Sequence, residues 1–134
     1  MRNILSRLSA DLRGVTAIEF ALTAPIVIAA LVGIVEFGRF FYVRSNLQNA
    51  VYEAGRYHVL NPTASSSTIT TQVRNNVTGI PTTSVTVVVV NETVGTTTFK
   101  KITATATFNL LSNMLPSTTL PLSAVTRVPM PPTS

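Results

Sequence analysis

Hydrophobic and polar positions follow four successive patterns along the chain. The first fourteen residues are short, basic and polar, with Asp11 as the lone acid. From Phe20 to Val35 no charge interrupts the sequence, and apart from Thr23 every residue is apolar, Gly or Pro. Val15 to Ile18 and Phe40 to Val43 extend this run into an interfacial zone, giving the roughly 20 residues that a hydrocarbon core of about 30 Å requires. Lipid offers no hydrogen-bond partners, so such a span must be helical.

From Glu36 the pattern turns amphipathic. Phe37, Phe40, Phe41, Leu47, Ala50, Val51, Ala54 and Tyr57 make a broad apolar stripe, with Arg39, Arg44, Gln48, Glu53 and Arg56 between them. Asn61-Pro62 stops the helix, because proline disfavours helical backbone at the residue before it. One helix from about Val15 to about Val59 is therefore predicted, with Pro25 inside the span as a kink. Ala17 with Ala21 and Ala29 with Gly33 are small residues four apart, which would admit a second helix at close range.

Thr63 to Ser67 reads as a polar connector. Ser66, Ser67 or Thr68 would cap a short helix carrying Ile69, Val73 and Val77, ended by Gly79 and Pro81. The period then changes to two. Val85 to Val90 is β-branched throughout, a strand composition. In Phe99 to Leu110, Ile102, Ala104, Ala106, Phe108 and Leu110 alternate with Thr103, Thr105, Thr107 and Asn109. Asn91 to Thr97, with Gly95, is expected to be a hairpin loop, and Leu120 to Val128 a third strand kept to an edge by Pro121. The tail Pro129-Met130-Pro131-Pro132 is expected not to pair. The fold class is α+β: a long N-terminal helix, a short helix and a small antiparallel sheet of about three strands. Residues 1–14 form a leader, 15–59 the membrane helix and its amphipathic continuation, and 60–134 a threonine-rich head.

Charge sets the orientation. Arg2, Arg7 and Arg13 precede the apolar run, and basic residues on one flank hold that flank in the cytoplasm. The remaining basic residues are scattered, so the net charge of +5 makes no stripe suited to nucleic acid. With no cysteine in the chain, disulfides and thiolate metal sites are excluded. The lone histidine, His58, is expected at the helix end as a partner for the helix dipole. After residue 14 the acids are Glu19, Glu36, Glu53 and Glu92, the first three spaced by 17 along one helix. That spacing offers no acid–base pair and no metal set, so neither an enzyme nor a small-molecule substrate or cofactor is expected.

Glu19 is the residue that calls for a reason, since a carboxylate at the edge of the hydrocarbon is costly. One reading leaves it in the headgroup layer near the positive end of the helix dipole. Another follows from its surroundings. The run R-G-V-T-A-I-E-F at Arg13 to Phe20 resembles the processing site of type IV prepilin-like proteins. The longer stretch to Tyr57, including G-I-V-E-F-G-R-F-F-Y, is similar to the TadE-like pseudopilins of the tight-adherence (Flp pilus) system.

That resemblance implies cleavage by a prepilin peptidase between Gly14 and Val15, leaving Glu19 as the fifth mature residue and Phe20 as the sixth. It implies that Glu19 and Phe20 set assembly register, Glu19 neutralising the new amine of a neighbouring subunit. The partners it implies are the peptidase, other pilins or pseudopilins, the inner-membrane assembly platform and the bilayer. The protein would sit as a single pass in the bacterial inner membrane, N-terminus inside and head outside, and could enter the pilus. The competing reading is an unprocessed, membrane-anchored β domain with a scaffolding or adhesive role. It explains the span and the strands but leaves the Gly14–Glu19 spacing to chance.

Overall fold

The computed structural model describes residues 12–110 and 119–130. Most of the expected leader and the end of the tail, residues 1–11 and 131–134, lie outside them. The elements are helix α1 (Leu12–Leu60), helix α2 (Ser66–Asn76), a 3-10 turn (Thr82–Ser84), and strands β1 (Thr86–Val94), β2 (Thr97–Asn109) and β3 (Thr119–Pro129). This is the α+β arrangement the patterning predicts. The chain forms two compact units, Met1–Glu36 and Phe37–Ser134, described separately below.

In the first unit α1 is helical from Leu12 and runs without interruption through Pro25. Its start lies three residues ahead of the Val15 boundary expected from sequence. Pro25 offers no N–H to the carbonyl of Ala21, the usual local consequence of proline inside a helix. Thr23 bonds its hydroxyl back to the Glu19 carbonyl at 2.8 Å, as threonine does where no other partner competes.

The second unit is a helix-on-sheet layer. Strands β1, β2 and β3 lie in that order, both pairs antiparallel. Alternation along β2 sends Ile102, Ala104, Ala106 and Phe108 inward, joined by Leu122, Ala124 and Val128 from β3. Against them pack Val43, Leu47, Ala50, Val51 and Ala54 from α1, and Ile69 and Val73 from α2. Each fully buried Leu, Val, Ile or Phe contributes about 1.5–3 kcal/mol relative to exposure, so this cluster holds the unit together.

The expected apolar stripe on α1 is only partly the buried one. Phe37 and Phe41 remain 67% and 57% exposed, and Tyr57 is half-buried, while Val43 and His58 are buried in their place. The burying arc is narrower than the hydrophobic arc. It follows Val43, Leu47, Ala50, Val51, Ala54 and His58, spaced by one turn of helix.

Three other expectations are corrected. The α2 cap is Ser65, whose Oγ accepts from the Thr68 N–H at 3.2 Å, and not Ser66, Ser67 or Thr68. The helix that starts there buries Ile69 and Val73. Asn91 to Val94 belong to β1, not to a loop, and pair as far as Val94 with Thr97. Gly95 and Thr96 alone make the turn, with Gly95 at φ +63°, the geometry a two-residue hairpin needs at its first central position. Pro129 is the last residue of β3, opposite Phe99, and Met130 N–H donates to the Thr98 carbonyl at 2.8 Å. A terminal proline is tolerated there because β3 is an edge strand.

Candidate functional site

The candidate site is the start of α1. Gly14, Val15, Ala17, Glu19, Phe20 and Ala21 lie on consecutive turns of one exposed helix. Among the described residues nothing covers the apolar run: Val15, Ile18, Phe20, Leu22 and Ile26 are 54–72% exposed. The helix that begins here is long and apolar enough to cross a membrane, and its apolar window is wholly unburied. Burying such a surface is favourable by about 25 cal/mol per Å², so lipid or another apolar helix is its stable neighbour.

Gly14 sits within the helix, and among the described residues nothing lies within 4 Å of the position a β-carbon would take. Space is therefore not the reason for glycine here. Its backbone is the more telling property, because glycine in a helix costs about 1 kcal/mol relative to alanine and eases local unwinding. Glu19 stands one turn beyond Val15 on the same side, as residues four apart do. The Cα–Cβ bond of a helical residue tilts toward the N-terminus, so the Glu19 side chain leaves the backbone on the Val15 side.

Ala17 neighbours Ala21, and Ala29 neighbours Gly33, so each small pair makes a shallow place on the helix surface. The pairs are twelve residues apart, which rotates one about 120° from the other in a regular helix. They do not form one continuous groove. Ala29 is exposed and Gly33 half-buried, and Glu36, closing the apolar run, is 7% exposed.

Three features of the second unit were not anticipated. Arg39 lies over the Phe108 ring with its guanidinium carbon 5.2 Å from the centroid, while Phe40 meets the same ring edge-on at 5.7 Å. On the outer face of the sheet Arg127 Nε donates to Glu92 Oε2 at 2.7 Å, and Lys101 Nζ stands 3.7 Å from Oε1. The Arg127 hydrogen bond holds the Glu92 carboxyl below its ordinary value. His58, expected at a helix end facing the dipole, is 1% exposed, and its Nδ1 has no hydrogen-bond partner. Burial first, and Lys100 second, push its pKa down. The signal was present in the sequence, since His58 follows Ala54 by four and Val51 by seven, continuing the buried stripe.

Among the described residues, no three of His, Asp and Glu gather into a set able to hold a metal ion. No curated protein and no solved structure matches the chain. Residues 14–56, the helical segment that carries Gly14, Glu19 and Pro25, match the family model of the TadE-like proteins.

Proposed function

We propose that the protein is a minor pseudopilin of a tight-adherence (Flp) pilus system. A TadE-like helix suggests a pilus-related protein, and one apolar helix near the N-terminus fits a membrane-anchored component. In this reading the chain inserts with its N-terminus in the cytoplasm. A prepilin peptidase cuts between Gly14 and Val15, and the helix joins other pilins or pseudopilins at the inner-membrane platform. The second unit is presented outside, and the role is one of assembly and surface adhesion, without catalysis.

The observation that carries this reading is an apolar run left uncovered by the described residues, with an acid, Glu19, at its N-terminal edge, five residues past Gly14. A carboxylate in that setting is stabilised by an opposite charge. Cleavage creates one, the α-amine of Val15. Pairing with that amine on an adjacent subunit would offset the desolvation of both groups and fix axial register. Removing one partner of a buried pair leaves a lone charge and costs about 3–5 kcal/mol. Glu19→Ala is therefore expected to abolish incorporation into pili while leaving membrane insertion intact. Normal pilus production by that variant would reject the assembly role.

One observation favours the unprocessed membrane anchor: α1 is already helical from Leu12, through the Gly14–Val15 bond. A peptidase needs an extended substrate, so this turn must unwind before cutting. Gly14 is the residue best suited to let it. Co-expression with the cognate peptidase separates the readings, because only the pseudopilin loses the mass of Met1–Gly14.

A further inference from the structure

His58 is absorbed by none of the above. It occupies the last turn of α1, within the second unit, and is 1% exposed with Nδ1 lacking any hydrogen-bond partner. One turn earlier Gly55 touches β3, where an added β-carbon would meet Val128 Cγ2 at 3.0 Å and Thr126 Cγ2 at 3.1 Å. The end of α1 thus lies close on the sheet.

The charged surroundings are one-sided. From β2 the group facing His58 is Lys100, two residues from buried Ile102 and so on the inner face of the sheet. Its cross-strand partners are Asn91 on β1 and Val128 on β3, neither of them charged. Glu92, Lys101 and Arg127 engage one another on the opposite face. The charged residue of α2, Arg74, is turned to the Val85 carbonyl at 3.4 Å. On α1 itself Glu53 and Arg56 are exposed. No carboxylate faces the imidazole from α2 or from the sheet.

We propose that His58 is an acid-sensitive latch: neutral, it holds the last turn of α1 on the sheet, and protonated, it releases that turn. The proton would add a second N–H and a positive charge to a site with no acceptor at Nδ1 and with the Lys100 ammonium nearby. The helix dipole favours a cation at this end of α1, but its effect falls off within one turn and is opposed by burial. The imidazolium is therefore satisfied by water, and water reaches it when the turn lifts. Lifting uncovers Val128 and the neighbouring inner face of β2 and β3.

The direction with pH follows from linkage. The folded form binds the proton less readily than the unfolded chain, whose histidine titrates near 6.5. The latch is at full strength above pH 6.5 and weakens as pH falls toward the lower folded-state value. One proton changes the closed-to-open ratio by at most about tenfold per pH unit. Carboxylates ordinarily titrate below about pH 5, so the window between is free of them.

His58 is the lone histidine, so its ring can be followed directly by NMR in the full chain held in detergent micelles. The expected titration midpoint lies below 6.5, accompanied by lost amide protection over residues 54–60. A midpoint at or above 6.5, or unchanged protection, overturns the latch. As a second arm, the unfolding midpoint of the wild type is expected to fall between pH 7.5 and 5.5, and that of His58→Leu to stay level. Equal slopes in the two proteins overturn it as well. Should His58→Leu fail to fold, the ring titration decides alone.

Discussion

Gly55 lies directly against Val128: a β-carbon added to the helix there would stand 3.0 Å from the valine Cγ2 and 3.1 Å from that of Thr126. The close seating of α1 on β3 depends on a residue without a side chain at this one point. Alanine would gain about 1 kcal/mol of helix propensity. It would lose about 1–3 kcal/mol to overpacking against two branched side chains fixed in a sheet. Gly55→Ala is expected to be neutral to mildly destabilising, and Gly55→Leu clearly destabilising. Urea unfolding of the two variants checks the order; equal stability of Gly55→Leu and wild type would show that the layer yields.

Phe108 joins the sheet to α1 through two aromatic contacts. It is 1% exposed, with Phe40 edge-on and the Arg39 guanidinium above it. Truncating a buried phenylalanine to alanine costs about 3–5 kcal/mol, a large share of the stability of a small domain. Phe108→Ala is expected to lose most cooperative unfolding of the second unit, and Phe108→Leu to lose less. Thermal denaturation followed by circular dichroism distinguishes them.

The Glu92 cluster sets a different pH limb. Its carboxyl sits below the ordinary 4.5, first through the Arg127 hydrogen bond and also through the charges of Arg127 and Lys101. A carboxyl with a depressed folded value contributes stability in full above 4.5 and loses it as pH falls through the folded value. Because the cluster is solvent-screened, the loss is expected to be small and to shrink in high salt. Glu92→Gln is expected to flatten this acid limb and leave the pH 5.5–7.5 range unchanged. An acid limb as steep in Glu92→Gln as in wild type would assign it elsewhere.

Pro25 withholds a helical donor from Ala21 in the middle of the apolar run. If that turn melts as the helix leaves the membrane, Pro25→Ala should strengthen it and hinder incorporation into pili. Counting the chain in purified pili from wild type and variant measures this; equal amounts would reject the idea.

Much of the architecture was legible because two periodicities dominate. The alternation of Ile102 to Phe108 with threonines defined β2, and the uncharged run from Phe20 to Val35 defined the apolar part of α1. What was not legible depended on contacts distant in sequence. Asn91 and Glu92 have little strand propensity, yet they pair, opposite Lys100 and Phe99, because β2 runs on to Thr97 beside them. Ser65, Ser66, Ser67 and Thr68 are equivalent as caps by composition, so the pattern alone did not single out Ser65. Phe37 and Phe41 are as hydrophobic as the residues that pack, but the sheet covers a narrower arc than they span. In the candidate site the positions of Gly14 and Glu19 were plain from spacing, whereas the early start of the helix at Leu12 was not.

The central claim is that the bond between Gly14 and Val15 is cut and the freed amine is matched to Glu19. Intact-mass and N-terminal peptide analysis of the protein from native membranes tests it most directly. The account predicts a mature chain beginning at Val15; a chain that still carries residues 1–14 would contradict it.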